Sequence, residues 1–343
     1  MSWYYKMSSS SETNIVPSVQ LNSLGYLTPE DTLCISIAVT SRCNLHCSYC
    51  HYNSRITSHL SNADIEDDVF DHYLKLIDWI RSTLHENIQI RFSGGEPLLL
   101  GDRLFRLAEK VYSRLGETVH VLSNGVLVNS STVKSSSSAG ISAFLLSIEN
   151  PYDVDKGSIN PVSVIDKIIS FNNDVVQVQP AVVIVRNHEF YRLTELMDWF
   201  YDKIKKLPTV SELNFSSFIQ PTGRELNYLS EEVAKIVKKY IDKTPVVLFP
   251  YIVPDLAYCY ENKYLIEFGV APDHYNFSHS SMTDCTSEII RYLNDAYPES
   301  KCNKFDCSWR EGCKRVKWVW ENNLQNYCAM RTAICEGYYK GCF

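Results

Sequence analysis

No apolar run in the 343 residues is long enough to cross a bilayer. The best candidate, PVVLFPYIVP at 245–254, is short and holds three prolines. The N-terminal stretch MSWYYKMSSSSETNIVPSVQLNSLGYLTPED has no apolar segment of the kind an export signal needs. It reads as a surface-bound or flexible arm, and the protein as cytoplasmic. A long basic run is missing as well. Net charge is −7, and KIKK (203–206) and KIVKK (235–239) read as wet helix faces rather than phosphate-binding stripes. Neither nucleic acid nor a membrane is expected as a partner. Cysteine is absent from 51–258, yet the chain has twelve: four within 34–50 and eight from 259 onward. Without an export signal, thiols clustered this way point to metal binding or redox chemistry rather than a disulfide lattice. Two separate metal regions are expected.

What is present between those regions is a repeating alternation. LCISIAV (33–39), IQIRFS (88–93), HVLS (120–123), FLLSIE (144–149), VVIV (182–185) and LNFSSF (213–218) read as strands. Helices fit between them. Ile65, Val69, Tyr73, Leu76, Ile77, Ile80 and Leu84 recur at helical spacing after a cap at Ser61. DRLFRLAEKVYSRLG (102–116) closes at Gly116, and PVSVIDKIISF (161–171), FYRLTELMDWFYDKIKKL (190–207) and SEEVAKIVKKYI (230–241) follow. The serine-rich stretch 130–139 is a weak helix. Six strand–helix units in series imply an α/β fold with a parallel sheet, open or curved into a partial TIM-like barrel. After about residue 245 the pattern gives way to aromatic, Cys-rich sequence. The expected organisation is an arm at 1–32, a core at 33–245 and an irregular Cys-rich domain at 246–343.

Unusual residues follow each strand. The first is followed by Cys43, Cys47 and Cys50, the second by GGEP (94–97), the third by Ser123-Asn124-Gly125. The fourth ends in Ser147 and Glu149, the fifth in Arg186-Asn187, the sixth in QPTGR (220–224). In a barrel of parallel strands these ends share one rim, and that rim carries the chemistry. Three thiolates on one tight loop suit three corners of a [4Fe–4S] cluster, leaving one iron open. Zinc is the alternative, with His46 or His51 as fourth ligand. Ser147 and Arg186 also fit a plain role as polar strand-end residues, and Cys34 that of a small buried hydrophobe.

The spacing Cys43-x3-Cys47-x2-Cys50 with Tyr49 before the third cysteine, followed in order by GGEP, SNG and SIE, resembles the radical S-adenosylmethionine (SAM) superfamily over roughly 33–224. The resemblance implies a partial (β/α)6 barrel. It implies that the open iron is chelated by SAM, and that an electron from the cluster splits SAM into methionine and a 5′-deoxyadenosyl radical. That radical takes a hydrogen atom from a substrate. Gly94, Gly95, Glu96 and Pro97 would form the ammonium-binding stretch. Ser123, Asn124, Ser147 and Glu149 would contact ribose and methionine parts, Arg186 the carboxylate, and Tyr49 the adenine.

The tail is similar to the SPASM domain, which holds auxiliary iron–sulfur clusters. Cys302, Cys307 and Cys313 match its central run, and Cys335 its closing cysteine. Four residues rather than two separate the first pair, Lys317 stands where a fourth cysteine is expected, and Cys328 is the substitute. With Cys259, Cys285 and Cys342, eight thiolates match two further [4Fe–4S] clusters; one cluster with spare thiols is the alternative. Relatives with this domain mostly modify peptides or proteins. The expected function is maturation of a ribosomally made peptide by side-chain crosslinking, the auxiliary clusters taking back an electron. A flavodoxin or ferredoxin would supply electrons, and a separate leader-binding protein would help present the peptide. The alternatives are a sulfatase-maturating enzyme, a peptide epimerase, a small-molecule dehydrogenase and a non-catalytic electron carrier.

Overall fold

In a computed structural model, the structure describes residues 32–48, 50, 63–84, 86–154, 157, 159–171, 173, 175–184, 189, 191–204, 213–217, 224–240, 246–248, 263–269, 286–287 and 340. The chain alternates strand and helix: β1 (Thr32–Thr40), α1 (Asp67–Thr83), β2 (Ile88–Gly94), α2 (Asp102–Leu115), β3 (Val119–Ser123), α3 (Ser130–Ser138) and β4 (Ile141–Ile148). It continues through α4 (Pro161–Phe171), β5 (Gln177–Ile184), α5 (Leu193–Ile204), β6 (Leu213–Ser217), α6 (Arg224–Tyr240), β7 (Val246–Leu248) and β8 (Lys263–Gly269). The six strand–helix units expected from periodicity are all present, and they form the α/β partial-barrel architecture.

Eight strands make one sheet in the order β7-β6-β5-β4-β3-β2-β1-β8, every neighbouring pair parallel. The sheet takes two strands from beyond residue 245, one at each edge. β8 pairs with β1 over seven residues, from Thr32 opposite Lys263 to Ala38 opposite Gly269. Parallel strands need crossovers, and the amphipathic helices supply them.

β1 is buried throughout from Leu33 to Thr40 because the sheet covers both its edges and its faces are packed. Cys34 is buried there, as its apolar setting implied. Helix α1 turns Phe70, Tyr73, Leu74, Leu76, Ile77 and Ile80 into the core. The rings of Phe70 and Phe92 meet edge to face at 5.8 Å and fasten it to β2. Its start lies at Asp67 with Glu66 in the capping position, two residues after Ile65, where the expected pattern began; Ser61 lies outside the described residues. Ile65 is buried ahead of the helix instead. Helix α2 ends at Gly116, whose φ of 72° lets its N–H reach back to Tyr112 O. The serine-rich α3 forms because Asn129 Oδ1 accepts the Thr132 N–H at its N-terminus and Val133 is buried beneath it.

Candidate active site

All strands run the same way, so their C-terminal ends gather at one rim. The loop that follows β1 carries Cys43, Cys47 and Cys50, all half-buried thiols. It turns tightly: Leu45 N–H donates to Cys43 Sγ at 3.4 Å and Cys50 N–H to Cys47 O at 3.1 Å.

Its base is clamped from two sides. On one side lies the stretch after β2. Gly95 N–H donates to Thr40 O at 2.8 Å, and Glu96 N–H to Arg42 O at 2.7 Å. This zipper leaves no room for side chains. A Cβ on Gly94 would stand 2.1 Å from Thr40 O, and one on Gly95 2.1 Å from Arg42 O. Gly94 also has a φ of 127°, which side-chain-bearing residues rarely adopt. The close approach for which two glycines are needed is thus made to the chain's own backbone. On the other side lies Asp64. It accepts Arg42 Nε at 2.8 Å and Nη2 at 2.7 Å, and Thr40 Oγ1 at 2.6 Å. Burial pushes the Asp64 carboxyl up, but the hydrogen bonds from Arg42 and Thr40 outweigh it and hold it below the usual carboxylate range. Ser41 and Ala63 pair through both backbone and hydroxyl.

Glu96 is wholly buried. Its Oε1 accepts Leu98 N–H at 3.1 Å and Ser123 Oγ–H at 2.9 Å, and its Oε2 accepts Asn124 N–H at 2.8 Å. One carboxylate therefore ties the end of β2 to the end of β3. Burial pushes its pKa up against the lowering effect of those three donors. Pro97 opens the short 3₁₀ turn Pro97–Leu100, where its missing N–H costs nothing. Asn124 reaches the cysteine loop: its Nδ2 donates to Asn44 Oδ1 at 2.8 Å and lies 3.9 Å from Cys43 Sγ. Burial raises the Cys43 pKa, and charge on Glu96 and Cys50 adds to it; the Leu45 N–H and the Asn124 amide oppose. A thiol in such a place becomes a thiolate most readily when a cation meets it.

The structure thus brings Cys43, Cys47, Cys50, Gly94, Gly95, Glu96, Ser123 and Asn124 into one connected set. Ser147 is half-buried in β4 opposite Ala181 of β5, and Glu149 is buried just beyond the strand. Tyr49, Arg186, His51 and the cysteines at 259, 285, 302, 307, 313, 328, 335 and 342 lie outside the described residues. Thr40, Arg42 and Asp64 were missed by sequence reasoning. Asp64 sits 22 positions from Arg42, and no spacing rule joins them.

Among the described residues, no group of three or more His, Cys, Asp or Glu is gathered tightly enough to hold a single metal ion. Three half-buried thiols on one loop could each ligate one iron of a cluster.

Comparison with known proteins agrees with this arrangement. Residues 37–197 match the model of the Radical SAM superfamily. The match covers a little under half of the chain. Members of that superfamily use a [4Fe–4S] cluster and SAM. An S-adenosylmethionine-dependent nucleotide dehydratase from Pseudoalteromonas ulvae is 29% identical over 119 residues, 32% of this chain and 38% of that protein. A probable GTP 3′,8-cyclase from Methanothermobacter marburgensis is 34% identical over 101 residues, 29% of this chain and 30% of that protein. The chain thus spans well under half the length of the curated relatives it matches. Among solved structures, native anSMEcpe with bound AdoMet superposes with a TM-score of 0.63 at 17% identity, covering 90% of this chain and 97% of that one. Streptococcus suis SuiB bound to S-adenosylmethionine gives 0.55 at 13% identity, covering 86% and 75%. At these identities the likeness is one of fold.

Proposed function

We propose that this protein reductively cleaves SAM and uses the product to oxidise a peptide, most specifically by crosslinking side chains of a ribosomally made peptide. The observation that carries the SAM-dependent part is the Cys43–Cys47–Cys50 loop zippered through Thr40 and Arg42 to Gly95 and Glu96. When bound, a [4Fe–4S] cluster and SAM supply an electron and a hydrogen-abstracting carbon radical. The chain's own residues hold and orient. Cys43, Cys47 and Cys50 would hold three irons of the cluster. Glu96 Oε2 receives one donor from the protein, so acceptor capacity remains for the SAM ammonium beside the Gly94 and Gly95 carbonyls. Ser123 and Asn124, held against Glu96, would contact the ribose and methionine parts of SAM together with Ser147 and Glu149. Tyr49 is assigned to the adenine and Arg186 to the carboxylate.

Support for a peptide substrate is the eight-cysteine stretch from Cys259 to Cys342, similar to a SPASM domain and assigned here to one or two auxiliary [4Fe–4S] clusters. The fold neighbours add to it, since anSMEcpe has been solved with AdoMet and the Cp18Cys peptide bound. A flavodoxin or ferredoxin is the proposed electron donor, and a separate protein would present the leader. A nucleotide substrate is the second reading, favoured by the relatives that act on nucleotides. The test incubates reduced protein with SAM and either peptides encoded beside its gene or nucleoside triphosphates. A peptide lighter by two hydrogens, with deuterium passing from labelled peptide into 5′-deoxyadenosine, supports the first. Deuterium arriving only from nucleotide replaces it with the second.

A further inference from the structure

The cysteine loop meets a third element, which the assignments above leave without a role. Gly157 lies between β4 and α4. Its carbonyl accepts His46 N–H at 3.1 Å and the Cys47 thiol at 3.7 Å. The packing is as tight as at Gly95. A Cβ at 157 would stand 2.2 Å from His46 O, 2.5 Å from His46 C and 3.0 Å from Cys47 N, closer than side chains tolerate. Resting on the reading of a cluster at Cys43, Cys47 and Cys50, we infer that Gly157 is a positioning residue for that cluster. It fixes the backbone of the middle cysteine from the β4 side, as Gly95 and Asp64 fix the base.

The wall that Gly157 offers is anchored independently of the cysteines. Upstream, Asn150 is buried, its Oδ1 accepts Tyr152 N–H at 2.9 Å and its carbonyl accepts Asp153 N–H. Downstream, Ile159 packs on the core, and Asn160 Oδ1 accepts Val162 N–H at 2.9 Å at the start of α4. With the chain buried at Asn150 upstream and packed on the core at Ile159 downstream, a side chain at 157 displaces the cysteine loop sooner than the core. The two contacts on the carbonyl also differ in kind. Cys47 can donate only as a thiol, so ligation to iron releases that contact while the His46 N–H bond persists. The carbonyl therefore holds the loop in register whether or not the thiol is protonated.

The test compares full-length wild type with Gly157→Ala, Ile159→Ala and, as control, Gly140→Ala. Gly140 has a φ of 81°, and its Cβ would meet Tyr112 Cβ at 2.9 Å. It precedes β4, at the opposite end of the strand, so it carries a backbone cost without touching the cysteine loop. One readout is the paramagnetic signal of the reduced cluster that changes on adding SAM. Gly157→Ala should lose that signal to a chelator about tenfold faster or more, the scale of supporting-residue changes at metal sites. Gly140→Ala should lose it at the wild-type rate. The second readout is amide exchange at His46 in metal-free protein, which needs no cluster. It should accelerate in Gly157→Ala and in the milder Ile159→Ala, whose loop anchor is loosened, but not in the control. Equal rates in Gly157→Ala and wild type, or the same acceleration in Gly140→Ala, overturn the inference. A wild type with no SAM-responsive signal but a protected His46 amide would instead refute the cluster reading and leave the contact standing.

Discussion

Replacing Glu96 probes both the frame of the site and its ligand. In Glu96→Ala, the Leu98 and Asn124 N–H groups and the Ser123 hydroxyl lose their acceptor together. A bond to a charged group contributes about 1.5–3 kcal/mol, and a stranded donor costs about 1–3 kcal/mol. Ser123 can turn its hydroxyl, whereas the two backbone donors cannot move. Relief of the carboxylate's own burial offsets part of the loss. The net destabilisation should be about 2–4 kcal/mol. Glu96→Gln keeps an oxygen for Leu98 and Ser123 but sets an amide N–H₂ against Asn124 N–H, so its cost should be about 1–3 kcal/mol. Denaturant unfolding followed by fluorescence ranks the three proteins. SAM affinity, measured by calorimetry on cluster-loaded protein, separates the roles. If the carboxylate receives the SAM ammonium, both variants should bind about 10- to 100-fold more weakly, the equivalent of one charge-assisted bond. An alanine variant that unfolds at the wild-type midpoint would refute the anchoring network. A glutamine variant with unchanged SAM affinity would refute the charge role.

Three further outcomes follow from the same contacts. Gly95→Ala should fail to assemble the SAM-responsive cluster, because its Cβ would overlap Arg42 O; normal iron loading would refute the tight zipper. Asp64→Asn should cost about 1 kcal/mol at neutral pH after solvent screening. Because the folded pKa of Asp64 lies below its ordinary 3.8, its contribution is present above that value and is lost as pH falls through the folded one. Acid unfolding of metal-free protein should therefore be shallower in Asp64→Asn, and identical pH profiles would contradict the assignment. Protein lacking Cys43, Cys47 and Cys50 should still bind about eight irons if two auxiliary four-cysteine clusters are present, and about four if one is. Zinc in place of iron would reject that domain reading.

The barrel was legible because its signals are local. Tyr73, Leu76, Ile77 and Ile80 mark a buried helix face within a few residues, and LCISIAV is apolar because β1 is covered on both faces. The cysteine loop and GGEP were legible for the same reason. Their partners were not, since the Asp64–Arg42 pair spans 22 positions and the Gly157–Cys47 contact 110. Gly157 in DKGSIN reads as an ordinary loop glycine until His46 is placed against it. β7 and β8 escaped notice because Val246–Leu248 is three residues long in a proline-rich run, and KYLIEFG stands in Cys-rich surroundings without a following helix pattern. Their place in the sheet is set by pairing with distant strands, β8 with β1 across more than two hundred residues.

The central claim is that the loop after β1 holds a cluster that cleaves SAM. Its most direct test is formation of 5′-deoxyadenosine by anaerobically reconstituted, reduced protein, beside the variant in which Cys43, Cys47 and Cys50 are all alanine. Steady formation by the wild type and none by the variant is the expected result. Equal formation by both would contradict it.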